Sequence, residues 1–529
     1  MSRRLTRLSL LGLSMALFAA VPAAEGAVSH ALIQGSGSSW SSNAVNQWIA
    51  DVQPNGLQVV YTANGSAQGR NDFANKTTDF AVSDIGYQGR DPVSGQNDTS
   101  LGRQYAYLPV VAGGTAFPYH IQVEGSLVQN LRLSGSTLAK IFTNQITNWD
   151  DPTITADNNG RVLPNLAIVP VVHSEGSGSS AQFTTYLDTQ YSSMWRTFLG
   201  SNCALAAGKC FTEYFPRSGN NMIAQNGSDG VMNFIASAAA NGAIGYDEYS
   251  YALAKTYPVV KLENSAGYFT LPTQYNVAVA LTQALINENS ASPDYLLQDL
   301  HKVFVYNDKR TYAMSSYSYM IIPTASNDST MTTAKRQTLA DYLYFSLCQG
   351  QSEMGKIGYS PLPVNLVQAS FNQTAKLKAA DSGVDLTNHN VANCNNPTFV
   401  AGNPTRNYLA EIAPIPPICD ASGHGPCTEQ GDSGTGSTPN PTGGPTTNPT
   451  GGTGGGGIGG GGAGIGGGGA NNNSGGGGTS NVAAVPVNLS AYDSGTSGLL
   501  GPLAVLLLAG ALIAPPLLWQ RLGRTPGPR

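Results

Sequence analysis

Serine and glycine residues that bring backbone N–H groups close to an anion are the first chemical feature of this sequence. The stretch SEGSGSS, residues 174–180, follows the apolar run IVPVV and precedes Phe183, Tyr186 and Leu187 at helical spacing. This order predicts a buried strand, a turn and a helix. The first turn of a helix has unpaired N–H groups and a partial positive charge. The stretch is therefore interpreted as an anion-binding turn, with a simple helix cap as the alternative.

Similar features occur at three other places. GSGSSW follows residues 31–33, TANGSAQGR follows the predicted strand LQVVY at 57–61, and the short strand in DFAVSD ends at the carboxylate of Asp84. Small ligands bind at the carboxyl ends of strands in open α/β sheets. Three serine-glycine turns and one aspartate at such ends predict a single binding site.

The sequence gives less support to metal binding, nucleotide binding or catalysis. The six histidines are scattered, and the sequence has neither a zinc motif, nor a phosphate-binding loop with lysine, nor a G-x-S-x-G motif. Ser177, His173 and Asp84 could form a hydrolase triad, but His173 and Ser177 lie on one tight turn. We therefore predict no catalytic residue, no metal site and no cofactor, and keep a phosphomonoesterase as an alternative.

The composition of the chain limits the kinds of molecule that it is expected to bind. Charged residues make up 11% of the 529-residue chain, against about 25% in typical soluble proteins. The net charge is −5, and the sequence has no cluster of lysine and arginine, so nucleic acid is not expected as a partner. Hydrogen-bond donors can still bind a small anion locally.

The two ends of the chain differ from its middle. Residues 1–27 combine early arginines, an apolar stretch and small residues, which predicts a secretory signal peptide. Residues 431–490 are rich in Gly, Pro and Thr and predict a disordered linker. Residues 499–519 are uncharged and long enough to span a bilayer, and the basic tail 520–529 is expected in the cytoplasm.

The number of cysteines is even, which in an exported chain favours disulfides over metal ligands. Close spacing predicts bonds of Cys203 with Cys210 and of Cys419 with Cys427, which leaves Cys348 and Cys394. Three of the six lie in a disulfide-containing extension, residues 371–430.

Read together, the stretches resemble one family. GSGSSW, NGSAQGRNDF, DFAVSD, HSEGSGSSAQFTTYL and NGAIGYDEYSYA have the order and spacing of periplasmic-type, PstS-like phosphate-binding proteins of Pst-type phosphate ABC importers, in a Gram-positive or actinobacterial form. SYSYMIIPT and IGYSPLPVNLVQ extend the resemblance to about residue 368. The resemblance implies an α/β, two-lobed periplasmic-binding-protein-like fold (type II) over residues 28–370. Each lobe would be a mixed sheet flanked by helices, with lobe 1 at 28–112 and 271–370 and lobe 2 at 113–270.

The resemblance also implies the ligand contacts. The matching positions are Ser39, Trp40, Ser66, Asp84, His173, Ser177, Gly178 and Ser179. His173 and Glu175 stand where the family has arginine and aspartate, and a neutral histidine cannot replace a guanidinium contact. Asp84 can only accept hydrogen bonds, so it favours a protonated phosphate oxygen over fully ionised sulfate.

The resulting hypothesis is a monomeric extracytoplasmic receptor that binds inorganic phosphate without turnover. It would deliver phosphate to ABC permease subunits or act in sensing. The sequence has no cysteine just after the signal peptide and no L-P-x-T-G, so the C-terminal helix is expected to anchor the protein on the outer side of the cell membrane. A surface protein that reuses the fold for another oxyanion or for adhesion is the alternative within the binding class.

Overall fold

The fold is taken from a computed structural model that describes residues 29–91, 93–200, 210–217, 221–400, 402–403 and 405–427. The predicted signal peptide, the linker 431–490, the apolar segment 499–519 and the basic tail lie outside the described residues. Within the described residues, none of the helices has the length and apolar character needed to cross a membrane.

The described part of the chain contains both strands and helices in alternation. The strands are β1 (Ile33–Gly37), β2 (Val59–Thr62), β3 (Phe80–Ser83), β4 (Gly89–Arg90), β5 (Asn97–Asp98), β6 (Tyr105–Ala116), β7 (Tyr119–His120), β8 (Gln122–Val123), β9 (Ser126–Leu127), β10 (Arg132–Leu133), β11 (Val169–His173), β12 (Ile223–Gln225), β13 (Ala243–Gly245), β14 (Asp247–Glu248), β15 (Lys261–Glu263), β16 (Phe269–Thr270), β17 (Leu285–Ile286), β18 (Gln298–Asp299) and β19 (Ser315–Pro323). The helices are α1 (Ser42–Val52), α2 (Ser66–Ala74), α3 (Gly135–Phe142), α4 (Pro152–Asp157), α5 (Gly178–Gln190), α6 (Ser192–Leu199), α7 (Gly227–Ile235), α8 (Tyr249–Ala254), α9 (Gln274–Leu281), α10 (His301–Phe304), α11 (Thr333–Leu347), α12 (Gln351–Met354), α13 (Val364–Ala380) and α14 (Tyr408–Ile412).

The largest sheet, called here the first sheet, has the strand order β14-β6-β19-β3-β1-β2. Strand β1 runs parallel to β2 and β3, whereas β19 is antiparallel to both β3 and β6. Every residue of β3 and β19 is buried, as expected for strands covered on both faces. The parallel strands of this sheet therefore bring the ends of β1, β2 and β3 to one edge.

The second sheet has the order β12-β11-β13-β7 and comes from the middle of the chain. Strand β11 is parallel to β12 and β13, and β13 is antiparallel to β7. Together the two mixed sheets and their helices confirm the predicted mixed α/β fold. The lobe boundaries stay a prediction.

The extension after α13 is bonded covalently and electrostatically to the rest of the fold. Disulfides join Cys419 to Cys427, the pair that close spacing predicts, and Cys348 to Cys394, the two cysteines that the spacing leaves unassigned. Cys203 lies outside the described residues, and so does its predicted bond with Cys210. The ammonium of Lys261 on β15 forms a buried ion pair with Asp420 in the extension.

Candidate functional site

Asp84 lies directly after β3 and is the centre of a cluster of serine hydroxyls. Only 3% of its surface is exposed. Ser318 donates to its Oδ1 at 2.7 Å, and Ser38 donates to both carboxylate oxygens at 2.8 and 2.9 Å. Ser41 and Ser66 complete the cluster at 3.3 and 3.2 Å. Burial raises the pKa of Asp84, and these hydroxyl donors oppose that rise.

Three serine-glycine turns follow strands and are named here for their order in the chain. The first turn (38–41) follows β1, the second turn (63–66) follows β2, and the third turn (174–179) follows β11. The second and third turns meet, because the N–H of Ala67, next to the second turn, donates to the carbonyl of Gly176 at 3.0 Å. The predicted turns thus converge on Asp84 from both sheets.

Gly178 is the point of closest approach between the third turn and Asp84. A Cβ atom at this position would lie 2.2 Å from Oδ2 of Asp84 and 2.6 Å from Oγ of Ser66. No side chain fits at such distances, so glycine is required here for the approach of the backbone. The structure therefore brings together Gly178, Asp84 and Ser66, three of the residues that the sequence singled out.

The third turn ends at the N-terminus of α5, a helix of 13 residues. Ser177 caps this helix by accepting from the N–H of Ser180, and its own N–H donates to the carbonyl of Glu213 at 3.1 Å. The hydroxyl of Ser179 is buried and has no hydrogen-bond partner in the part of the chain that the structure describes. A helix N-terminus with an unpaired buried hydroxyl is suited to bind an anion.

The side chains of the first turn are engaged with protein groups. Oγ of Ser39 accepts from both the N–H and the hydroxyl of Ser228 at 3.1 Å. Nε1 of Trp40 donates to Oγ1 of Thr115 at 3.3 Å. Since Ser228 belongs to α7, beside the second sheet, Ser39 helps to join the two sheets.

His173 ends β11, and both of its ring nitrogens face protein acceptors. Nδ1 lies 2.8 Å from Oε1 of Glu175, and Nε2 lies 3.2 Å from the carbonyl of Tyr246. Burial opposes the charged ring, but the charge and the hydrogen bond of Glu175 outweigh it and raise the pKa of His173. A direct contact of His173 with an anion would require one of these two hydrogen bonds to break.

The alternative triad is not assembled among the described residues. The hydrogen bonds of His173 go to Glu175 and Tyr246, and Ser177 accepts from a backbone N–H. The described residues also contain no group of three or more His, Cys, Asp or Glu residues that could hold a metal ion.

Sequence reasoning missed several members of the site. Ser38 and Ser41 lie beside the predicted Ser39 and Trp40, and the run of serines in GSGSSWSS was the available signal. Ser318 lies 234 positions from Asp84 in the sequence, so no local pattern indicates that the two residues meet.

Comparison with known proteins agrees with this arrangement. Residues 22–349 match the family model described as a PBP superfamily domain. The chain is 30% identical over 358 residues to phosphate-binding protein PstS 2 of Mycobacterium tuberculosis, covering 66% of this chain and 87% of that protein. It is 28% identical over 356 residues to phosphate-binding protein PstS of Methanocaldococcus jannaschii, with 66% and 86% covered.

A solved structure shows the same fold. The high-affinity periplasmic phosphate-binding protein PfluDING, solved with bound phosphate, aligns with a TM-score of 0.51 at 19% identity, over 67% of this chain and 99% of that one. From the family model and the mycobacterial relative together, the chain belongs to the PBP superfamily and, within it, to the PstS phosphate-binding proteins.

Proposed function

We propose that the protein binds one inorganic phosphate ion between the two sheets, at Asp84 and the three serine-glycine turns. The observation that carries this proposal is the approach of Gly178, at the N-terminus of α5, to the buried carboxylate of Asp84. An anion placed there meets helix N–H donors and hydroxyls on one side. On the other side it meets the carboxylate of Asp84, which can only accept hydrogen bonds. Only an anion that carries a proton satisfies both.

The proposed contacts divide into donors and one acceptor. Ser177, the backbone of Gly178 and the unpaired hydroxyl of Ser179 donate. Ser66 donates once its hydroxyl turns from Asp84 to the anion, and Asp84 accepts from the protonated phosphate oxygen. Ser39 and Trp40, which lie in the first turn, are the remaining proposed contacts. His173 contributes positive charge at the end of β11 rather than the forked contact that an arginine would make.

The biological role follows from this binding chemistry and from the relatives. Two lobes, residues 28–112 with 271–370 and residues 113–270, would close on phosphate and release it to permease subunits of an ABC importer, or report its presence. The predicted signal peptide and the apolar segment 499–519 support a place on the outer side of the cell membrane. The protein binds its ligand without turnover, because no nucleophile of the site has a separately positioned base.

The test is a calorimetric titration of the purified full chain in detergent with phosphate, arsenate and sulfate. Phosphate and arsenate are expected to bind, since both carry a proton near neutral pH. Sulfate is expected to bind about 10⁴-fold more weakly, because it leaves Asp84 without a donor. Equal affinity for sulfate, no binding of phosphate, or hydrolysis of a phosphomonoester that Ser177→Ala abolishes would overturn the proposal.

A further inference from the structure

A buried ion pair beside the candidate site joins α2, the helix that follows the second turn, to the segment 210–217, which is hydrogen-bonded to the third turn. Arg70 lies on α2, the helix that begins at Ser66, and Glu213 lies in the segment 210–217 after α6. Nη2 of Arg70 donates to Oε1 of Glu213, and the two side chains are 0% and 3% exposed. Removing two charges from water is costly, so a pair in this place calls for an explanation beyond stability.

The other nitrogens of the Arg70 guanidinium are hydrogen-bonded to residues on or near the first sheet. Its Nε donates to both oxygens of Asp98 at 3.0 and 2.9 Å, and its Nη1 donates to Oγ of Ser83 at 2.8 Å. Ser83 is the residue immediately before Asp84. Arg70 therefore has a fixed position relative to the acceptor of the site.

Glu213 is connected to the other side of the site. Its carbonyl oxygen accepts from the N–H of Ser177, the residue that caps α5. The neighbouring Thr212 is bonded to α5 itself, because its N–H donates to Oγ1 of Thr184 at 2.9 Å. Asp91 reaches this segment from the first-sheet side, accepting from the hydroxyl of Thr212 at 2.9 Å and from the N–H of Glu213 at 3.3 Å.

We propose that Arg70 and Glu213 are positioning residues that hold the third turn against Asp84 and the second turn when the protein closes on its ligand. This inference rests on the proposed function. The pair contacts the anion through neither side chain, and it acts by setting the distance between Gly178 and Asp84. The hydrogen bond from Arg70 to Oε1 of Glu213 forms only when the two sides of the site come together, and Glu213 can accept it whether or not Oε2 carries a proton, so it stabilises the closed arrangement.

The charge balance around Glu213 links closure to a proton. One guanidinium, that of Arg70, pairs with the carboxylates of Glu213 and Asp98, and a third carboxylate, that of Asp91, accepts from the backbone N–H of Glu213. The hydroxyls of Tyr87 and Tyr214 also belong to these surroundings. Burial, opposed by Arg70 and reinforced by Asp98 and Asp91, raises the pKa of Glu213 to about 7. The Oε2 atom of Glu213 is buried without a hydrogen-bond partner among the described residues.

Closure is linked to protonation because the pKa of Glu213 differs between the open and the closed arrangement. A glutamate that faces water has a pKa of about 4.3, so protonation of Glu213 favours the closed arrangement. Closure therefore takes up a proton at Glu213 between these two pKa values. The uptake approaches one proton near pH 6 and vanishes near pH 8.5, where Glu213 is ionised in both arrangements.

The experiment compares the full-length wild-type chain with Glu213→Ala, Glu213→Gln and Glu353→Ala. Glu353 pairs with Lys356 at the surface, so its variant controls for the loss of an ordinary ion pair. Phosphate affinity and dissociation rate are measured, together with thermal unfolding without phosphate. Calorimetry in two buffers of different ionisation enthalpy gives the number of protons taken up.

Glu213→Ala is expected to weaken phosphate binding about tenfold to a hundredfold, the value of a hydrogen bond to a charged group, mainly through faster dissociation. Glu213→Gln retains an acceptor for Arg70 and should restore much of the affinity, while binding near pH 6 takes up nearly one proton fewer than in the wild type. Glu353→Ala should behave as the wild type.

Two outcomes overturn the inference alone. One is wild-type phosphate binding in Glu213→Ala, and the other is unchanged proton uptake in Glu213→Gln, which remains measurable if Glu213→Ala does not fold. A loss of thermal stability without phosphate, with affinity unchanged, would show a merely structural pair. A wild-type chain that binds no phosphate overturns the proposed function itself.

Discussion

Ser318 donates a hydrogen bond of 2.7 Å to Oδ1 of Asp84, although 234 positions separate the two residues. The contact follows from the antiparallel pairing of β19 with β3, in which Tyr319 lies opposite Ser83, the residue before Asp84. Ser41 donates to the same Ser318 hydroxyl at 2.6 Å, so two distant segments fix the acceptor of the site together.

Asp84→Asn is expected to narrow the difference in affinity between phosphate and sulfate. The amide supplies a donor in place of one acceptor oxygen, which disfavours the protonated phosphate oxygen and favours ionised sulfate. Calorimetry with both anions measures the ratio. The control is Asp308→Asn, which removes a carboxylate paired with Arg310 outside the site. An unchanged ratio in Asp84→Asn would show that Asp84 does not select the ligand.

Gly178→Ala is expected to weaken phosphate binding about fivefold to 150-fold, the equivalent of an overpacking cost of about 1 to 3 kcal/mol. The new methyl group would overlap Oδ2 of Asp84 and Oγ of Ser66 and push the third turn away from both. Gly230→Ala is the matched control, since a Cβ on that helical glycine meets its nearest atoms at 3.7 Å. Equal binding by both variants would contradict the close approach.

The sequence allowed the turns and the acceptor of the site to be predicted, because each depends on local patterns. A strand followed by serine and glycine marks the three turns, and Asp84 ends a short apolar strand. The same alternation of elements indicates an α/β sheet, whereas the mixed sheets are implied by the resemblance to phosphate-binding proteins. Of the two described disulfides, Cys419–Cys427 agrees with the close cysteine spacing, whereas Cys348–Cys394 joins the two cysteines that the spacing leaves unassigned.

The remaining parts of the site depend on contacts between distant segments. Ser318 reaches Asp84 because β19 pairs with β3, and the pairing of Arg70 with Glu213 links segments 143 positions apart. The direction of the His173 ring depends on the carbonyl of Tyr246, which the sequence next to His173 does not indicate. Local periodicity carries no information about such pairings.

The two described disulfides are expected to contribute unequally to stability. In the chain-entropy treatment a longer closed loop gives more stabilisation, and sequence separations of 46 and 8 correspond to about 4 and about 2.5 kcal/mol. The double variant Cys348→Ala/Cys394→Ala should therefore lose more free energy of unfolding than Cys419→Ala/Cys427→Ala. Urea unfolding of the full chain measures both. The reverse order would show that the shorter loop anchors the extension more strongly than its length implies.

The last prediction concerns the pH dependence of stability without phosphate. Burial opposes the charge on His173, but the charge and hydrogen bond of Glu175 raise the pKa of His173 above its ordinary value. A raised pKa means that the stabilisation is fully present below the unfolded value of about 6.5 and is lost as the pH rises through the folded value. The pKa of Glu175 is lowered, despite its burial, by His173 and by the N–H of Gly227. Glu175 therefore stays ionised throughout the range from pH 5.5 to 9.

Urea unfolding of the wild type and of His173→Gln, in buffers without phosphate, measures this dependence. Asp247, whose pKa burial raises to about 7, remains in both proteins, so the difference between the two curves isolates the histidine and its coupling to its neighbours. The free energy of unfolding of the wild type should exceed that of His173→Gln most at pH 5.5 to 6.5. This difference should shrink as the pH rises, with a slope of at most about 1.4 kcal/mol per pH unit. Glu175→Gln should lose the same advantage, because it removes the charge that keeps the ring protonated. A constant difference across the range would mean that folding does not raise the pKa of His173, and an advantage that grows with pH would mean that His173 is neutral in the folded protein. Either result would contradict its proposed contribution of positive charge to anion binding.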